Sequence, residues 1–272
     1  MYKPMKQTIT VLGLCGREGS GKTTVANMLT GGPKHELRKI KDPLTYMTDV
    51  LFGNNNPWGY SIEEQKDCLK LIIETNVDSK WFEKHPPGEY IAPFDVVSDK
   101  KWVEFSMATP LKKVCSIIFD IDYDILLAQT PEARVIRETM SCRHDYDKLP
   151  EGLFNGRVCL EYFGTDVMRN KFDIDIWMKI LKRDAIRAIN NDKRVVIPDV
   201  RFENEIDLIR KLDGTLLVIY RSDSELILTE NDKKMHPAKW SFLEHYTKSK
   251  KYEMLCNNGS VYELQNMLNT RV

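Results

Sequence analysis

Residues 16 to 24 read GREGSGKTT, with Gly16, Gly19 and Gly21 followed at once by Lys22, Thr23 and Thr24. Glycine loses more backbone entropy on folding than any other residue, so a run this rich in it needs a compensating interaction. The spacing G-x-x-x-x-G-K-[ST] supplies one. Consecutive backbone N–H groups can turn inward as an anion nest, and a helix opening at the lysine adds partial positive charge. In that arrangement Lys22 reaches the β- and γ-phosphates of a nucleotide and the Thr23 hydroxyl joins the shell of a Mg²⁺ ion. Arg17, Glu18 and Ser20 occupy the variable positions of the same cradle, and Thr24 follows it. The plainer alternative is a glycine-rich strand-to-helix turn with an exposed lysine.

Two further stretches carry candidate chemistry. In VVIPDVRFENE, an apolar strand delivers Asp199 and Arg201 at its carboxyl end, with Glu205 about one helical turn on. If the extension continues, alternation puts 199 and 201 on one side; the alternative is a surface ion pair. A GTPase would carry D-x-x-G here and N-K-x-D further on, and neither occurs in those places. In YFGTDVMRNKFDIDIW, three polar positions (Gly164, Thr165, Asp166) interrupt an apolar stripe that also holds Arg169 and Trp177. The structural alternative is a helix break capped by Asp166. The five histidines show no metal-ligand spacing, and no Ser-His-Asp or Cys-His arrangement is visible.

Positioning these groups requires alternating strands and helices. TITVLGLC is a short β-branched run that suits a buried parallel strand, and KTTVANMLTGG is a helix stopped by Gly31 and Gly32. Residues from about 33 to 100 lose the rhythm. They read as a loop-rich insertion around one clear helix, SIEEQKDCLKLIIETN, which opens on a capping box at Ser61 and Glu64. KKWVEFSM then reads as a strand, TPLKKVCSIIFD as a helix with Thr109 at N-cap and Pro110 at N1, and TPEARVIRETM as a second with Thr130 and Pro131. Further helices cover RVCLEYFGTDVMRNKF and DIDIWMKILKRDAIRAINN. RVVIPDV, TLLVIYRS and YEMLCNN read as strands, FENEIDLIRKL as a helix, and SVYELQNML as a last helix with a capping box at Ser260 and Glu263. The sum is an α/β fold, a single domain over 1–272 with a mostly parallel sheet of about five strands covered on both faces.

Composition sets the bounds. Hydrophobic residues make up 42% and charged residues 29%, ordinary for a soluble globular protein. Forty basic residues balance forty acidic ones, which gives no prior for polymeric nucleic acid or for a membrane surface. Any anionic ligand must be held locally. The six cysteines form no CxxC pair, and several sit in apolar runs, as reduced thiols of an intracellular protein do. No signal peptide or 18-residue apolar run is visible, so the expected location is cytoplasmic. The N-G-S at Asn258 is then a chance match to a glycosylation acceptor.

Taken in order, GREGSGKTT, FSMATPLKKV, RVCLEYFGTDVMR, FDIDIWM, VVIPDVRFENE, MHPAKW and NNGSVYEL resemble the deoxynucleoside monophosphate kinases of phages and large DNA viruses. The resemblance covers the first thirty residues and most of 103 to 272. It implies the P-loop nucleoside monophosphate kinase fold and transfer of the γ-phosphoryl group of ATP to a deoxynucleoside 5′-monophosphate, with Mg²⁺, in a viral case in the host cytoplasm. It also allows a homodimer. It implies nucleotide-loop roles for Gly16 to Thr24, and a basic residue near the acceptor phosphate at Lys112, which otherwise reads as a solvated lysine in a first helical turn. Arg157 matches an arginine of the family's site. Gly164, Thr165, Asp166 and Trp177 match acceptor-pocket positions, although Trp177 is also a natural core anchor. Asp199, Arg201 and Glu205 match residues that grip the monophosphate or the metal. HPAK departs from the more usual acidic or serine ending after His-Pro.

The mechanism so implied needs no general base, because a phosphate monoester has its second pKa near about 6 and is already a nucleophile at neutral pH. Catalysis falls to positioning and charge neutralisation. Lys22 and Mg²⁺ serve the donor, and Lys112, Arg157, Arg169 and Arg201 are the candidates for the acceptor and the transferring group. A lid is expected as well, to exclude water until the acceptor binds. Arg134, Arg137 and Arg143 are its candidates, against a solvated helix face with Glu138 as partner. Two other readings stay open at this stage: a dephospho-coenzyme A kinase-like enzyme of the same fold, and a nucleotide-binding regulator without transfer activity.

Overall fold

The computed structural model describes residues 9–32, 35–53, 56–95, 101–128, 130–142, 146–152, 154–234, 243 and 252–271. In chain order the elements are β1 (Val11–Cys15), α1 (Lys22–Thr30), β2 (His35–Ile40), α2 (Pro43–Leu51), α3 (Ile62–Asn76), α4 (Trp81–Lys84), β3 (Tyr90–Asp95), β4 (Trp102–Glu104), α5 (Ala108–Ile118), α6 (Tyr123–Leu127), α7 (Pro131–Thr139) and α8 (Gly156–Glu161). A π-helix (Tyr162–Phe172) follows. Then come α9 (Ile176–Ile189), β5 (Arg194–Ile197), α10 (Glu203–Lys211), β6 (Thr215–Tyr220), a 3₁₀ turn (Asp223–Leu226), α11 (Glu230–Lys233), β7 (Glu253–Cys256) and α12 (Val261–Asn269). The chain divides into two compact units, one of Met1–Lys34, Val97–Ser106 and Asp184–Val272, the other of His35–Val96 and Met107–Arg183.

The first unit is built on a five-stranded sheet in the order β4-β5-β1-β6-β7, with every pairing parallel. A parallel sheet is covered on both faces, so its strands read as unbroken apolar runs; all of Val11–Cys15 is buried. Leu12, Leu14, Val196, Leu217, Ile219 and Leu255 pack with Val25 and Ala26 of α1 and with Leu264 and Leu268 of α12. From β1 the chain builds the β5 side of the sheet first and the β6 side afterwards. That makes the carboxyl end of β1 a topological switch point, where such sheets bind ligands. Helix α1 ends at Gly31, whose φ of 83° closes the last turn onto Asn27. The capping box of Ser260 and Glu263 opens α12 as expected.

Two boundaries differ from the sequence reading. Helix α5 starts at Ala108 with Met107 at the cap, so Thr109 does not cap it and Pro110 lies within the first turn. Pro110 is tolerated there because the first N–H groups of a helix have no intrahelical partner to lose. Strand β4 is confined to Trp102–Glu104, where it pairs with β5.

In the second unit, the described residues between 35 and 95 are more regular than the composition of this stretch suggests. Strands β2 and β3 form an antiparallel two-stranded ladder, and α2, α3 and α4 lie between them in sequence. The prolines misled because they mark positions that need no N–H. Pro43 opens α2 behind the Asp42 cap, and Pro93 sits in a strand of a sheet with two open edges. The predicted box of Ser61 and Glu64 opens α3, and Thr130 caps α7 with Pro131 at its first position. The helix break that was the structural alternative at Asp166 does not occur. Helix α8 runs on into the π-helix, with Gly164 buried beneath Leu111, where a β-carbon would come within 2.7 Å of Leu111 Cδ2. All six cysteines are free thiols. Among the described residues, no helix is long and apolar enough to cross a membrane.

Candidate active site

Residues 16 to 21 leave β1 and enter α1 in a loop that only glycine can follow at two points. Gly16 has φ 144° and Gly21 φ 110°. A β-carbon on Gly16 would lie 2.3 Å from the Ile219 carbonyl oxygen, and one on Gly21 would lie 2.4 Å from Asn257 Nδ2. The Ser20 N–H donates to the Arg17 carbonyl (3.2 Å), and Asn257 Nδ2 donates to the Ser20 carbonyl (2.8 Å) from the turn after β7. Lys22 Nζ donates to the carbonyls of Gly16 (2.8 Å) and Arg17 (2.6 Å). Burial first, and the Arg201 charge second, push the Lys22 pKa down to about 8. The lysine is therefore a half-buried cation whose charge an anion would stabilise. Thr23 and Thr24 are exposed in the first turn of α1. Burial pushes the Cys15 thiol up to about 12, which leaves it no nucleophilic role.

Beyond the carboxyl end of β5, the strand beside β1, come Asp199 and Arg201, and then Glu205 in the first turn of α10. Strand β5 stops at Ile197 and residues 198–199 turn, so the expected alternation does not carry through: Asp199 is half-buried and Arg201 exposed. Pro198, which has no N–H for the ladder, stands where the strand gives way. Ser106 Oγ donates to Asp199 Oδ2 (2.6 Å), while Asp199 Oδ1 and Ser20 Oγ are buried without a hydrogen-bond partner among the described residues. A buried, unsatisfied carboxylate oxygen is costly and suits a cation or a donor from a ligand. Glu205 is buried, and its carboxylate accepts from the N–H groups of Arg201 (2.6 Å) and Phe202 (2.9 Å), which fixes the entry to α10.

The second unit holds the other candidates. Trp177 is buried, and its Nε1 donates to the Gly164 carbonyl (3.0 Å), a contact that locks α9 to the π-helix. Thr165 and Asp166 are exposed next to it in sequence, and Arg169 is half-buried with Nε donating to the Ile174 carbonyl (3.3 Å). Lys112 is half-buried on α5, whereas its neighbour Lys113 is buried. Arg157 pairs with Glu161 (3.0 Å) and lies 4.0 Å from Glu138, which Arg137 approaches to 3.6 Å. Arg137 also packs against Gly156, where a β-carbon would meet its Cγ at 2.8 Å. Arg137 and Arg157 are thus brought together around Glu138. Arg134 is exposed on α7, and Arg143 lies outside the described residues.

The sequence profile of the deoxynucleotide monophosphate kinase family matches residues 150–267. A protein of Acanthamoeba polyphaga mimivirus named "Putative deoxynucleotide monophosphate kinase" is 31% identical over 147 residues, which is 49% of this chain and 68% of the relative. The chain belongs to the deoxynucleotide monophosphate kinase family. It is accordingly an enzyme of the phosphotransferase class, and its five-stranded parallel sheet is that of a P-loop kinase.

Four residues beside the candidate groups were not singled out from the sequence: Ser106 beside Asp199, Asn257 against Gly21, Asp232 on Arg17, and Lys113, which is buried next to Lys112. Asn257 meets Ser20 across 237 positions, and no local spacing encodes such a contact. For Asn257 a signal did exist in the NNG turn after a predicted strand, since all parallel strands of one sheet end on the same edge.

Proposed function

We propose that the protein transfers the γ-phosphoryl group of ATP to a deoxynucleoside 5′-monophosphate, giving ADP and the deoxynucleoside diphosphate. The observation that carries the reading is the glycine loop at the end of the central strand β1, closed around the Lys22 ammonium, in a chain of this kinase family. The donor site is assigned to Gly16–Thr24. The residues present suit a triphosphate with Mg²⁺: a cradle that β-carbons would fill at Gly16 and Gly21, and orphaned buried oxygens on Ser20 and Asp199. Thr23 would hold the metal together with phosphate oxygens, the usual way Mg²⁺ is bound, and Mg²⁺ would supply neutralisation of phosphate charge.

Within this reading the chain's own side chains bind and orient. Lys22 places an ammonium on the donor phosphates, and Asp199, held by Ser106, presents one fixed carboxylate oxygen at the same sheet edge. Arg201, on the segment after β5, is assigned to the acceptor phosphate with Glu205 fixing its backbone. Lys112, Arg157, Arg169, Gly164, Thr165, Asp166 and Trp177 are assigned to the acceptor side and Arg134 and Arg137 to a lid. The acceptor dianion attacks directly, so no side chain has to remove a proton. The chain acts as one kinase domain, with residues 33–100 as its elaboration, on a small nucleotide in the cytoplasm. The deciding test is ADP release from ATP and Mg²⁺ with each of the four common deoxynucleoside monophosphates. ADP formation that depends on at least one of them is expected; none above the acceptor-free rate with any would refute the reading.

A further inference from the structure

Arg17 occupies the first variable position of the glycine loop, yet its guanidinium is committed elsewhere. Nη1 donates to Asp232 Oδ1 (2.6 Å), Nη2 to Asp232 Oδ2 (3.0 Å) and the Ile227 carbonyl (3.1 Å), and Nε to the Glu225 carbonyl (2.9 Å). A guanidinium has five N–H donors in a rigid fork, so these contacts leave little of it for a phosphate. The ion pair is enclosed, with the two side chains 24% and 7% exposed. Asp232 is itself immobilised, because its Oδ2 accepts from the Thr229 N–H (2.8 Å) and hydroxyl (2.7 Å) in the capping box that opens α11. The Glu225 carboxylate accepts from the Arg221 N–H (2.9 Å), which fixes the turn that presents the other acceptors.

The other end of Arg17 is where the pair gains a function. Its backbone carbonyl is one of the two oxygens that hold Lys22 Nζ, and it also closes the loop onto the Ser20 N–H. We infer that Arg17 and Asp232 are a positioning pair for the donor site: the bidentate ion pair anchors Arg17 so that its carbonyl sets the loop and the Lys22 ammonium. This rests on the donor-site assignment made above. Arg17 then acts through Lys22 and touches no phosphate itself, although its place in the motif suggests a direct contact. Bidentate Arg–carboxylate pairs are among the stronger side-chain contacts and fix orientation as well as distance, which suits them to this work.

The test compares the wild type with D232N, R17K, R17M and R17M/D232N by calorimetric titration of ATP, by steady-state kinetics against ATP, and by thermal melts. D232N and R17M should each raise the dissociation constant and KM for ATP about tenfold, the size of one charge-assisted contact, with kcat at saturating ATP within about threefold. R17K, which keeps the charge and loses the fork, should fall between. The double variant should bind no worse than the weaker single variant, since both remove one interaction. The inference is overturned if D232N and R17M melt normally and bind ATP as the wild type does. It is equally overturned if their losses add, or if kcat and affinity fall together in step with a lowered melting temperature. Wild type that binds no ATP would refute the donor assignment and this inference with it. ATP binding without transfer to any deoxynucleotide would refute only the reaction, and the affinities would still decide the pair.

Discussion

Lys22 shows how one residue's environment becomes its chemistry. Its ammonium is partly desolvated and faces the Arg201 charge, and two loop carbonyls hold it. Carbonyl dipoles only partly replace the water it has lost, so under the proposed function a polyphosphate at the loop would meet a cation prepared for it, with little reorganisation needed in the transition state. Lys22→Ala should therefore reduce kcat for transfer by about 10²- to 10³-fold, the usual cost of removing one preorganised electrostatic contact, with a thermal melt close to that of the wild type. A melt lowered in proportion to the activity would mean that the lysine holds the loop together and does no more. Arg201 belongs to the other substrate in this scheme. Arg201→Ala should raise KM for the deoxynucleoside monophosphate by about 10- to 100-fold, the size of a charge-assisted hydrogen bond, and change ATP affinity far less. Equal weakening of both ligands would show the division of the site to be wrong.

At the scale of elements, α4 is the instructive case, because a helix as short as Trp81–Lys84 has no stability of its own. It persists through its side chains. Trp81 is buried with Nε1 donating to the Ile118 carbonyl (2.9 Å), and the His85 ring stacks on the Trp81 ring at 4.1 Å. His85 Nδ1 lies 2.8 Å from the Trp81 carbonyl and Nε2 lies 3.1 Å from Asp120 Oδ2. Both partners are acceptors, and only an imidazolium donates from both nitrogens. The Asp120 hydrogen bond accordingly raises the His85 pKa above the ordinary value of 6.5, against the opposing effects of burial and of Lys84, which is itself paired with Asp78. Burial first, and the Asp120 charge after it, also keep the Tyr90 and Tyr146 hydroxyls protonated. A group whose pKa is raised on folding contributes stability that is complete below its unfolded value and is lost as pH rises through the folded one. Denaturant melts should thus show stability falling as pH climbs above about 6.5, and H85Q should flatten that stretch of the profile. An unchanged slope in H85Q would show that the histidine is neutral and its two contacts incidental.

The whole molecule was legible in the sequence wherever one local rule decides a structure. Gly16 to Thr24 could be read because the loop, the strand before it and the helix after it are contiguous, and the boxes at Ser61 and Ser260 because a cap is a four-residue affair. What could not be read were contacts set by the sheet. Arg17 and Asp232 are 215 residues apart and meet only because β1 and β6 are neighbours. The ladder of β2 and β3 was hidden by prolines at positions that need no donor, and the π-helix by a Gly-Thr-Asp run that looks like an interruption. One property belongs to the chain as a whole and to no element. Forty basic and forty acidic residues give a formal net charge of +0 and a pI near 7.0, so near neutrality the molecules do not repel one another and oppositely charged surface regions attract. Moderate salt screens those attractions within about 10 Å. Light scattering of concentrated protein at low salt should accordingly peak near pH 7, fall on moving about one pH unit to either side, and fall at pH 7 when salt is raised to about 0.15 M. Scattering that rises with salt at pH 7 would point instead to an apolar association, which salt strengthens, and would reject the electrostatic account.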